Sequence, residues 1–145
     1  MNPVKRIPGE RFEDARGLIA SLNTFRFEDV KRMYVLHHND TQTLRGWNGH
    51  RFEKKWFFCT KGRFHIRLVA VDNWEAPAPD LPVEHVHLSD TRSELLCVPG
   101  GYASLIQAEI PGSILTVFSN NTVEESLADS YRFAASLWNN QKEAQ

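Results

Sequence analysis

The sequence predicts an all-β domain, a sandwich or a barrel, with one late helix. Apolar runs are short, and the clearest of them alternates with polar residues. Turn residues punctuate the chain at regular intervals: Asn39-Asp40-Thr41, Gly62, Pro99-Gly100-Gly101 and Pro111-Gly112. Helical periodicity emerges only after residue 122. The 145 residues suit one domain spanning 1–145, long enough to bury a core without staples.

Residues 1–11 carry two prolines and a glycine and read as an extended arm. Asp14 to Gly17 reads as a tight turn, with Leu18 and Ile19 beginning a strand. Residues 29–38 are β-rich, and Val30, Tyr34 and Leu36 are placed on one face. In 63–72, Phe64, Ile66 and Leu68 alternate with His65, Arg67 and Val69, and Lys61-Gly62 reads as the turn of a hairpin. Three prolines make 73–84 a loop. Short strands follow at His85–Ser89, Leu95–Val98, Tyr102–Ala108 and Ser113–Ser119. Thr122 and Glu125 fit a capping box. Leu127, Tyr131, Ala134 and Trp138 share one helical face, so a helix over 123–138 is expected. The competing reading is an ordered extended tail that packs Tyr131 and Trp138 on the body. Residues Asn139 to Gln145 are expected to fray.

Composition removes several function classes. A net charge of -1 gives no electrostatic case for nucleic acid, though a phosphate ligand needs only two or three local cations. No run approaches transmembrane length, so no membrane association is expected. The polar N-terminus has no signal-peptide core, which points to the cytoplasm. Cys59 and Cys97 lie in apolar runs and read as buried, reduced thiols. No cysteine or histidine spacing suggests zinc. His85 and His87 share a strand face, which raises a metal question, and His37-His38 reads as surface.

The chain is organised around 45–62, R-G-W-N-G-H-R-F-E-K-K-W-F-F-C-T-K-G. Asn48, His50, Glu53 and Lys55 lead into the apolar run Trp56 to Cys59. A few polar groups on an apolar wall describe a pocket floor. Gly46 and Gly49 would let the backbone turn or approach a ligand closely. The plainer alternative is a strand with charged flanks.

Four stretches carry a family resemblance. F-E-D-A-R-G-L-I (12–19) resembles F-x-D-x-R-G-x-F, and R-G-W-N-G-H (45–50) resembles an R-G-x-H segment and an H-x-H pair. K-W-F-F-C-T-K-G (55–62) resembles a lysine-led strand ending at glycine, and P-G-G-Y-A-S (99–104) resembles P-x-G-F-A-H. In order and spacing they resemble the small cupins related to dTDP-4-dehydrorhamnose 3,5-epimerase and to the dTDP-sugar 3,4-ketoisomerases. The resemblance spans residues 12–119. It implies a cupin-type jelly-roll barrel with a short C-terminal helix or ordered tail, commonly a homodimer that exchanges or adds strands. It also implies a nucleotide-linked keto-sugar of the dTDP-4-keto-6-deoxyhexose type as ligand, no cofactor and no catalytic metal.

Epimerisation beside a ketone needs a base, a charge to hold the enolate oxygen, and an acid. By the resemblance Lys55 is the enolate stabiliser, and Arg45 and Arg16 grip substrate or diphosphate oxygens. Asn48 stands where the base histidine belongs, and a carboxamide cannot take the proton. General-base help is worth about 10²- to 10⁴-fold, so this departure matters. Ser104 replaces a histidine, and the segment F-S-N-N-T lacks the acid tyrosine. His50, two residues from Asn48 on the same strand face, is the remaining candidate for proton transfer. Asn48 is then a substrate contact, and Tyr102 either a substrate contact or core. Asn48 and Lys55 also occupy the first-histidine and glutamate positions of the cupin metal set, where a lysine cation opposes a metal. Three readings follow: a sugar-nucleotide epimerase or isomerase acting through an enolate, an inactive sugar-nucleotide-binding cupin, or a different lyase or isomerase reaction on a related sugar by the same enolate logic.

Overall fold

The computed structural model describes residues 2–138 and Glu143. The residues expected to fray, Glu143 aside, lie outside the described residues. Among the described residues, twelve strands and one helix form two five-stranded antiparallel sheets and a separate two-stranded hairpin. The first sheet has the order β1-β9-β6-β11-β4, from Lys5–Pro8, Glu94–Val98, Lys55–Lys61, Ser113–Ser119 and Arg32–His38. The second has the order β12-β5-β10-β7-β8, from Tyr131–Arg132, Arg45–His50, Tyr102–Ala108, Arg63–Ala70 and Glu84–Ser89. β2 (Glu10–Asp14) and β3 (Gly17–Ser21) pair only with each other.

The barrel expected from the resemblance is not formed: each sheet ends in an edge strand, β1 and β4 in one, β12 and β8 in the other. The architecture is two open sheets enclosing one apolar layer. Phe57, Leu96, Leu115 and Val117 of the first sheet meet Phe64, Ile66, Leu68 and Val86 of the second. The alternation in 63–70 thus puts its three apolar residues into this layer. Val30 departs from the face assigned to it. It packs with Trp56, Leu95 and Phe25 in another cluster, while Tyr34 and Leu36 line the central layer.

The expected hairpin at Lys61-Gly62 is not one. β6 pairs with β9 and β11, whereas β7 pairs with β10 and β8, so the chain crosses between sheets at Gly62. The polar groups at this corner are satisfied by other corners. Gly62 N–H donates to the Asp90 carboxylate at 2.9 Å, and Arg63 N–H donates to Ser113 Oγ at 3.1 Å. Gly62 has φ +80°, and a Cβ there would stand 2.0 Å from Ser113 Oγ. Both apolar faces are buried only if the chain changes sheets, and glycine lets it turn that tightly.

The helix α1 is Val123–Ala128, much shorter than 123–138, although its capping box of Thr122 and Glu125 is present. The rest is an ordered tail. β12 adds to the edge of β5, and Trp138 packs on Trp47 at 5.2 Å and donates from Nε1 to Ala78 O at 2.7 Å. Tyr131 sits on the short strand and Trp138 at the end of a turn over 135–138, so their spacing reflects two separate contacts. No helix is long and apolar enough to cross a membrane among the described residues.

Gly62→Ala is expected to cost about 2 kcal/mol or more, from left-handed strain and the clash with Ser113. A urea unfolding series checks this: the midpoint falls while the slope is unchanged.

Candidate functional site

The polar residues of 45–55 gather at one end of the space between the sheets. On β5, Trp47 turns outward into the cluster covered by the tail, while Asn48 and His50 face the opposite way. On β6 the same alternation sends Trp56 out and Lys55 and Phe57 in. Asn48, His50 and Lys55 therefore line one recess of about 150 Å³, together with Ser130, Tyr131 and Arg132 of the tail.

His50 is held at both ring nitrogens. Nδ1 lies 2.8 Å from the carbonyl of Asp129, which can only accept, so Nδ1 carries the proton. Nε2 then offers its lone pair to Lys55 Nζ at 3.0 Å. Burial, and then the Lys55 cation, push His50 below the ordinary histidine range, against the opposing pull of Glu53 and Asp129. The imidazole is neutral, with its basic nitrogen aimed at the lysine.

Glu53 completes the group. Its side chain is fully buried, with Oε2 3.3 Å from Lys55 Nζ and 3.4 Å from His50 Nδ1. Ser119 Oγ donates to Oε1 at 3.0 Å, and Arg32 approaches Oε1 at 3.5 Å. Burial raises the Glu53 carboxyl, but the Lys55 cation, His50 and two serine hydroxyls outweigh it and leave it lowered. The turn between β5 and β6 is fastened by Asp129, whose carboxylate accepts from the N–H groups of Arg51, Phe52 and Glu53 at 2.8–2.9 Å.

The other sequence candidates are placed differently. Arg45 lines a larger neighbouring cavity of about 460 Å³ that shares Asn48 and Arg132 with the recess, and its Nε donates to His38 Nε2 at 3.1 Å. His38, read as surface from its sequence, is only 3% exposed and packs edge-on to Phe64. Its position at the end of β4 turns it inward, and burial, then Arg45, lower its pKa. Tyr102 pairs with His50 in the β5–β10 ladder but packs against the central apolar layer. Arg16 sits at the tip of the β2–β3 hairpin, 84% exposed at its side chain and paired with Asp14 at 2.6 Å. Gly46 has φ +129° and lies against Ser104 O, while Gly49 lies beneath Trp74 and Phe133. Gly49 is covered by packing within the protein, whereas Gly46 also lines the larger cavity.

Sequence reasoning put Glu53 on the pocket floor without a role and read Tyr131 as a packing residue, and it missed Arg32, Asp129 and Arg132 altogether. Glu53 stood in the organising stretch, and its two-residue spacing from Lys55 was the available signal. Nothing local marked Asp129 or Arg132, which join the site only through the tail's return to β5.

No protein-family model and no curated protein matches the sequence. Solved structures do match in shape. A His-to-Asn mutant of the 3,4-ketoisomerase QdtA from Thermoanaerobacterium thermosaccharolyticum, in complex with TDP-4-keto-6-deoxyglucose, shares 22% identity over 90% of this chain and 87% of that one, with a TM-score of 0.72. The TDP-quinovose 3,4-ketoisomerase WlaRB from Campylobacter jejuni shares 18% over 97% and 100%, with a TM-score of 0.71. The dTDP-4-dehydrorhamnose 3,5-epimerase from Bacillus anthracis, with TDP and PPi bound, shares 15% over 92% and 79%, with a TM-score of 0.74. The fold is shared with sugar-nucleotide ketoisomerases and epimerases.

Because His50 is depressed from 6.5 in the folded state, its neutral form contributes stability above that pH. That contribution is lost as pH falls through the folded value. Histidine NMR should show His50 titrating below 6.5, and Lys55→Met should move it upward.

Proposed function

We propose that the protein is a sugar-nucleotide isomerase or epimerase that works through an enolate, with a dTDP-4-keto-6-deoxyhexose-type ligand. The observation that carries this is the neutral Nε2 of His50 standing 3.0 Å from Lys55 Nζ in one recess. A proton acceptor and a cation side by side are what α-proton removal from a ketone requires. When the sugar's carbonyl oxygen takes the Lys55 ammonium as its partner, Nε2 is released to accept the proton from the adjacent carbon. The carbon–hydrogen pair becomes the enolate double bond, and the oxygen's charge rests on Nζ. The imidazolium then returns the proton to the neighbouring carbon while the hydroxyl proton passes to the former carbonyl oxygen, giving the shifted ketone; epimerisation instead needs a second acid, such as water, to protonate the first carbon from the opposite face. Glu53 stays charged beside both groups, which stabilises the transient imidazolium. Asn48 serves the sugar as a hydrogen-bonding contact. Arg45 and Arg132, at the mouth of the adjoining cavity, suit the diphosphate.

A second reading is a binding protein that keeps the ligand and has lost the reaction. Asn48, in the place of the expected base, favours it. The His-to-Asn ketoisomerase mutant in complex with its keto-sugar shows that such a replacement is compatible with holding ligand in that protein.

The quaternary reading concerns the β2–β3 hairpin. A two-stranded sheet alone is marginal in water, and this one exposes Phe12 at 58% and Ile19 at 62%. We propose a homodimer in which the hairpin lies on a second copy and carries Arg16 towards that copy's ligand. Light scattering on the Phe12→Glu, Ile19→Glu double variant should then report a monomer, where the unaltered protein is a dimer.

The reaction is tested by incubating the protein with a dTDP-4-keto-6-deoxy sugar in heavy water and following the carbons beside the ketone by NMR. Solvent deuterium is expected to enter there, and His50→Ala should slow its entry by about 10²-fold or more. Exchange indifferent to His50→Ala rejects the residue assignment. Tight binding without any exchange selects the binding reading.

A further inference from the structure

The outer face of the second sheet, away from the recess, carries an imidazole cluster that the proposed reaction does not use. His65 on β7 and His87 on β8 are directly opposite in the ladder, and their rings stack at 4.4 Å. Glu143 lies at the same place. One ring nitrogen from each histidine and one carboxylate oxygen of Glu143 lie within 4.8 Å of one another. We propose that His65, His87 and Glu143 bind a divalent transition-metal ion of the zinc class, joining β7 and β8 to Glu143.

The donor set is that of an open three-ligand zinc site, two imidazoles and a carboxylate with a fourth position for water. Metal–ligand distances of about 2.0–2.1 Å put tetrahedral donors about 3.4 Å apart. Side-chain rotation covers the difference.

The surroundings support a ligating role. His87 Nδ1 is hydrogen-bonded to the Glu109 carboxylate, and His65 Nε2 lies 2.8 Å from His85 Nδ1. Each proposed imidazole ligand is thus oriented by a neighbour behind it, as ligating histidines commonly are. The contact on the other side of His87 is the telling one. Its Nε2 faces the Glu143 carboxylate at 2.5 and 2.8 Å. A neutral imidazole has one N–H, already given to Glu109, so a lone pair would face a carboxylate. Only a second proton or a cation between them makes that contact favourable. The face is otherwise mixed in charge. Arg67, opposite His85 in the ladder, hydrogen-bonds Gln107 at 3.1 Å, and Arg63 pairs with Glu109 at 2.9 Å. The carboxylates of Glu109 and Glu143 offset these two cations.

The test uses the full chain, stripped of metal and titrated with Zn²⁺ against a chromophoric chelator, then with Co²⁺ read by visible absorption. The expected result is one equivalent of either ion and a tetrahedral Co²⁺ band. Glu109→Gln should weaken binding by about 10- to 100-fold. His65→Gln and His87→Gln should each weaken it more, and His37→Gln on β4 should leave it unchanged. Nitrogen-15 NMR of the unaltered protein supplies a reading independent of any variant's folding. Loss of the Nε2 proton signal of His87 on adding Zn²⁺ supports the site. A His87 doubly protonated with and without Zn²⁺, or affinity unaffected by the His65 and His87 substitutions, overturns it.

Discussion

The geometry of the recess depends on one carboxylate. Asp129 accepts from three consecutive backbone N–H groups in the turn between β5 and β6, while its own carbonyl takes the His50 Nδ1 proton. Hydrogen bonds to a charged acceptor are each worth about 1.5–3 kcal/mol. They fix the turn that separates His50 from Lys55 and so fix the distance between imidazole and ammonium. They also fix the tautomer of the imidazole. The same commitment ends the helix. Asp129 caps α1 at its C-terminus, and the tail that follows continues as β12 along β5.

The space between the sheets is divided into two environments. Most of it is filled by Phe57, Ile66, Leu96 and their neighbours, where no polar group is needed. The end bounded by β4, β5 and the tail holds Arg32, Glu53, His50 and Lys55 instead. A buried carboxylate there is tolerable only because cations and hydroxyls surround it. The arrangement suits a reaction in which charge moves: Glu53 keeps a fixed negative charge, Lys55 a positive one, and His50 between them is uncharged and able to change. An apolar lining would have packed as well but would have offered no partner to the enolate of the proposed reaction.

Legibility in the sequence followed the range of the interaction. The strands at 102–108 and 113–119 and the capping box of Thr122 and Glu125 are local patterns, and they stand where the residues indicated. The alternation of Phe64, Ile66 and Leu68 likewise fixed which face is buried. That His50 and Lys55 meet required more, since they sit on different sheets. The motif resemblance brought them together, but not through Glu53 or Asp129. Where a local signal was read as a local structure, it failed. Gly62 marked a turn, but one between sheets, and the four-three-four spacing to Trp138 continued a helix on paper that Asp129 ends in space. His38 looked exposed beside a turn, yet the strand's alternation carries it inward to Arg45 and Phe64.

By itself, then, the sequence determined an all-β body, its principal buried faces and the residue types available for proton transfer, because periodicity and side-chain chemistry are properties of neighbours in the chain. Tertiary structure alone decided that the two sheets stay open, that Arg16 stands apart on a hairpin, and that the tail returns to wall the recess. Those outcomes turn on pairings between residues far apart in sequence. Their energies depend on which polar groups find partners once water has been removed, and no local pattern records that.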